Sequence, residues 1–84
     1  AAGDPSWTMR FLKILFRFNL IPKETIGEFL ESMEEKHVGW YLIDRSNTPE
    51  ENAMALAMVE AMPDTFRKRG YMEMIKTAMR RAAA

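Results

Sequence analysis

Eighty-four residues, 48% of them hydrophobic and 29% charged, suffice for one small domain with a single core and do not read as a disordered chain. The absence of cysteine excludes a disulfide framework and a thiolate metal site, and the lone histidine, His37, leaves almost nothing for histidine-based catalysis or ligation. The formal net charge is zero, and no apolar run reaches the ~20 residues of a membrane span; the nearest, residues 11–21, is interrupted by Lys13, Arg17 and Asn19.

In chain order, the first periodic segment is WTMRFLKILFRF. It reads as a helix capped by Ser6, with Trp7, Phe11, Ile14, Leu15 and Phe18 on one face and Arg10, Lys13 and Arg17 on the other. As the first helix of a small bundle it is expected to bury that aromatic face. The same basic, amphipathic pattern, with Trp7, Phe11, Ile14 and Leu20 at the spacing of calmodulin targets, also suits a helix that docks a partner or an anionic surface.

Asn19 and Pro22 mark the next boundary, and Pro22 fits a first helical turn. Ile26, Phe29, Leu30 and Met33 follow at i, i+3, i+4 and i+7 as the core stripe of a second helix, whose other faces are acidic. A short third helix is expected over about residues 36–45, with Val38, Tyr41 and Leu42 inward and Gly39 weakening it.

The fourth helix carries the best start signal in the chain. Thr48-Pro49-Glu50-Glu51 has the form of a capping box with proline at the first helical position. NAMALAMVEAM follows with apolar residues on nearly every face, the pattern of a helix in the middle of a bundle. Pro63 and Asp64 end it. DTFRKRG is expected to add one turn closed by Gly70 as a left-handed cap. The last helix, YMEMIKTAMRR, places Tyr71, Met74, Ile75, Ala78 and Met79 on one face and closes with Arg80 and Arg81.

The expectation is an all-α, compact antiparallel bundle of five to six helices forming a single domain over residues 6–82. Residues 1–5 and 83–84 are expected to be disordered or extraneous ends. Of the eight methionines, Met33, Met58, Met62, Met74 and Met79 occupy core-type positions, whereas Met54 and Met72 are candidates for exposure.

The neutral total hides a segregated field. Residues 1–22 hold three bases against one acid, net +2; residues 23–63 hold three against nine, net −6; residues 64–84 hold six against two, net +4. Such a layout suits partners of either sign, including another copy of the chain. The basic candidates are Arg10, Lys13, Arg17, Arg67, Lys68 and Arg69, and the acidic candidates are Glu24, Glu28, Glu31, Glu34, Glu35 and Asp44. No phosphate-binding glycine loop, activated nucleophile or histidine pair is present, so the sequence points away from an enzyme and implies no cofactor. The cluster Arg67-Lys68-Arg69, with Lys76, Arg80 and Arg81, keeps nucleic acid binding as a further alternative, opposed by the acidic middle third. His37 reads as a surface or boundary residue.

Residues 26–81 resemble a caspase-recruitment domain (CARD) of the death-fold superfamily. The resemblance rests on the Leu/Met-rich helix behind a threonine-bearing loop, NTPEENAMALAMVEAM, the Arg-Gly turn in RKRG and the helix YMEMIKTAM, and it stretches over about residues 7–81. It departs in the lengthened PDTF segment, in the short first helix and in a fourth helix whose charges are all acidic. The resemblance implies a death-fold-like, six-helix bundle that only binds other domains of its kind, in apoptotic or innate-immune signalling. In the family a basic surface on the first and fourth helices meets an acidic surface on the second and third. Here that implies a cytoplasmic module recruiting a partner of the same type or assembling head to tail, with Arg67–Arg69 standing in for the fourth helix.

Overall fold

Proline and capping signals set most of the helix boundaries. A computed structural model describes residues 5–43 and 47–83, and those residues form five helices: α1 (Pro5–Arg17), α2 (Lys23–Ser32), α3 (Glu35–Tyr41), α4 (Pro49–Glu60) and α5 (Phe66–Ala83). No strand occurs among the described residues.

α1 begins one residue before the expected Ser6 cap, because Pro5 itself occupies a helical position, where its fixed φ is already right. Asn19 ends α1 with a left-handed φ of 52°. Its N–H donates to the Phe16 carbonyl at 3.2 Å and the Leu20 N–H to the Leu15 carbonyl at 2.9 Å, the paired bonds of a Schellman stop. The capping box of α4 forms as expected. Glu51 N–H donates to Thr48 Oγ1 at 3.2 Å, and Thr48 N–H donates to Glu51 Oε1 at 3.1 Å.

The core consists of Met9 and Leu12 from α1, Ile26 and Leu30 from α2, Val38 from α3 with Leu42 just beyond it, Ala55, Met58 and Val59 from α4 with Met62 after it, and Tyr71 and Ile75 from α5. α4 packs most extensively on α5 and also on α2, while α1 packs on α3 and α2. The apolar wrapping of α4 therefore serves contacts on two sides, as its sequence suggests.

α2 approaches the backbone at the end of α4 closely at Gly27. A Cβ there would lie 2.0 Å from the Ala61 carbonyl oxygen and 2.8 Å from Met62 Cα, so no larger residue fits without separating the helices. This approach turns α2 toward α4 on its Gly27 side and carries Phe29 out to 47% exposure, against the expectation that Phe29 belongs to the core stripe.

Four further expectations are corrected. α3 ends at Tyr41 rather than near residue 45. Gly70 is no cap: it lies inside α5, and the RKRG segment belongs to the first turns of that helix rather than to a turn ahead of it. Residues 66–69 thereby extend the last helix instead of building a sixth. Met74 is half exposed, whereas Met54 and Met72 pack against the core, because α5 turns the arc around Tyr71 and Ile75 inward.

Candidate docking surface

The largest departure from the sequence pattern lies on α1. The core takes Met9 (1% exposed) and Leu12 (3%), with Leu15 and Phe16 packed against them. The expected core face is turned out: Trp7 is 60% exposed, Phe11 61%, Ile14 50% and Phe18 64%, with Leu20 at 62% just beyond the helix. α1 carries two apolar series at helical spacing, and packing on α2 and α3 buries only one of them. Phe18 belongs to the outer series because its N–H still bonds the Ile14 carbonyl at 3.1 Å, continuing the ladder one residue past α1.

At about 100° per residue, Trp7, Phe11, Ile14 and Phe18 fall within an arc of roughly 60°. Arg10 and Arg17 border that arc along one side rather than lying opposite it, whereas Lys13 sits about 130° from its centre. Arg10 and Arg17 are exposed and Lys13 is half-buried. α1 contains no acid, and among the described residues its three bases enter no ion pair. The result is an apolar ridge with a cationic edge.

The acidic candidates divide into two groups. Glu24 and Glu28 are exposed on α2 beside Phe29. Glu31 and Glu35 instead engage the start of α5: Thr65 Oγ1 donates to Glu31 Oε2 at 3.1 Å, and Arg67 Nε lies 3.8 Å from Glu35 Oε1. Glu34 pairs with Lys36 at 3.5 Å. Asp44 lies outside the described residues.

The basic cluster at 67–69 is divided by helix geometry, since consecutive residues point about 100° apart. The Arg67 guanidinium donates to the Glu31 and Met33 carbonyls, which ties α5 to the negative end of α2. Arg69 pairs with Asp64 at 3.5 Å and lies over the Phe66 ring, 5.5 Å from its centroid. Lys68 is half-buried. These three cations therefore share no single face with one another.

A second, smaller apolar area lies between α3 and α5, in an open hollow lined by Glu35, Lys36, Gly39, Trp40, Tyr71 and Met74. Trp40 is exposed, with His37 6.0 Å away and the Lys36 ammonium 6.0 Å from its ring centroid. Tyr71 is 5% exposed and its hydroxyl has no hydrogen-bond partner among the described residues. Burial raises its pKa above the usual phenol value, the nearby Arg67 opposes that shift, and Glu35 and Glu31 reinforce it. Nothing in the sequence pattern singles out this phenol, because its neighbours converge only through the packing of α5 on the α2–α3 junction.

No described helix is long and apolar enough to cross a membrane. Comparison of the chain with family models, with curated proteins and with solved structures returned no match.

Proposed function

We propose that this chain is a helical interaction module whose docking surface is the outward face of α1. The observation that carries this reading is the exposure, at half or more, of Trp7, Phe11, Ile14 and Phe18 on one narrow arc. Large side chains aligned in this way are costly to leave in water, and contiguous patches of this kind mark sites of association. The cationic edge adds orientation and speeds encounter with an acidic partner.

A photo-crosslinking side chain placed at position 14 tests the reading, with position 73 on α5 as the control. A defined adduct at 14, absent at 73 and lost when Arg10 and Arg17 are reversed to glutamate, is the expected result. Equal labelling at both positions would remove α1 as the docking surface.

A second reading is favoured by the charge layout. Arg10, Lys13 and Arg17 lie on α1, and Glu24 and Glu28 stand outward on α2. Opposite patches on different faces of one molecule support a head-to-tail contact between like domains. This is the homotypic, CARD-like assembly that the sequence resemblance implies, in a death-fold-like bundle acting in the cytoplasm. It requires that Arg10→Glu and Glu28→Lys each weaken association and that mixing the two variants restores it. Parent-like association by both single variants would exclude it.

A further inference from the structure

The outer stripe of α1 has more order than exposure alone requires. Trp7, Phe11, Ile14 and Phe18 are separated by four, three and four residues, the alternation of a heptad seam, with Trp7 and Ile14 at one set of seam positions and Phe11 and Phe18 at the other. Arg10 and Arg17 each precede a seam phenylalanine by one residue and stand seven apart, at the flanking position that sets partner choice in coiled coils. Met9, Leu12 and Phe16 point the other way, into the bundle. α1 thus has one face anchored in its own domain and a separate face spaced for another helix.

We propose that α1 seats an acidic amphipathic helix of a partner protein, whose apolar seam packs on Trp7, Phe11, Ile14 and Phe18 and whose flanking carboxylates meet Arg10 and Arg17. The inference rests on the reading of α1 as the docking surface and names its occupant. Charge favours an acidic helix and disfavours pairing of α1 with α1 of a second copy. An antiparallel pair of α1 helices from two copies would set Arg10 and Arg17 of one against those of the other, with like charges opposed along the seam. A parallel pair would set them against Thr8 and Leu15, which offer no countercharge. A membrane surface calls for a broad apolar face, whereas this stripe spans roughly 60° because the remaining apolar face of α1 is consumed by the core. At these exposed fractions the four side chains present on the order of 400 Å² of apolar surface, a size commonly functional on small domains.

The test uses the whole chain carrying Trp40→Phe, so that Trp7 alone reports by fluorescence. The probe is a four-heptad peptide with leucine at both seam positions and glutamate at both flanking positions. Two comparison probes are the same peptide with lysine flanks and vesicles of phosphatidylcholine and phosphatidylserine. The glutamate peptide is expected to bind and blue-shift Trp7, and the lysine peptide to bind at least ten-fold more weakly. Arg10→Glu/Arg17→Glu is expected to invert that preference, and Phe11→Ser to weaken binding at least ten-fold with an unchanged helical circular dichroism spectrum. Binding to the anionic vesicles in place of the peptide would overturn the occupant and leave α1 as the docking surface. Self-association that Phe11→Ser abolishes, with no peptide binding, would overturn it in favour of a second copy. Peptide binding indifferent to both variants would overturn the occupant and the docking surface together.

Discussion

α1 and α4 present opposite problems of packing. α4 is apolar on nearly every side and lies between α2 and α5, so almost any rotation about its axis buries hydrophobic surface. α1 has two apolar series and a basic edge, so rotation decides which aromatic side chains meet water. The bundle takes the Met9/Leu12 series and leaves Trp7, Phe11, Ile14 and Phe18 outside. Hydrophobicity alone therefore anticipates a helix packed on two sides but does not orient one with two rival apolar stripes. The surplus apolar face of α1 is where association is sought.

The largest effect that would sharpen this contrast lies at the α2–α4 contact. Gly27→Ala places a methyl group against the Ala61 carbonyl, and overpacking against backbone is expected to cost about 3 kcal/mol or more. Chemical denaturation reads this directly; a stable Gly27→Ala domain would mean that α2 does not sit so close to α4. Arg67→Ala comes next. It removes the donor shared by two carbonyls at the end of α2, for an expected loss of about 1–2 kcal/mol, and a variant that melts with the parent would dissolve that link between α2 and α5. Thr48→Ala removes one side of the capping box and is expected to cost about 1 kcal/mol by the same measurement.

The smallest expected effect concerns Tyr71 and pH. Its phenol is held neutral by burial, so its folded-state pKa lies above the unfolded value. The stability this contributes is complete below the unfolded pKa of about 10 and falls as pH rises through the folded pKa. Melting temperatures above pH 10 are expected to fall less steeply for Tyr71→Phe than for the parent, and equal slopes would contradict the assignment.

The helical content, the capping box, the stop at Asn19 and the two-sided packing of α4 were all legible in the sequence, since each rests on local chemistry or on a pattern without a preferred face. The orientation of α1 was not legible, because Phe11 and Leu12 belong to rival stripes of similar hydrophobicity and only the surrounding helices select between them. Gly70 misled for a related reason. Glycine beside a basic run resembles a cap, but α5 packs on α4 and carries the helix through it. On the candidate surface, the charges of α1 were readable, whereas the capture of Arg67 by the α2 carbonyls depends on contacts 34 and 36 residues apart in the chain.

Two neighbouring residues test the orientation of α1 most directly. Urea unfolding of Leu12→Ala and Phe11→Ala compares a side chain 3% exposed with one 61% exposed, one residue away. Leu12→Ala is expected to lose about 2–4 kcal/mol and Phe11→Ala less than about 1 kcal/mol. A Phe11→Ala loss equal to that of Leu12→Ala would contradict an outward aromatic stripe and the docking surface built on it.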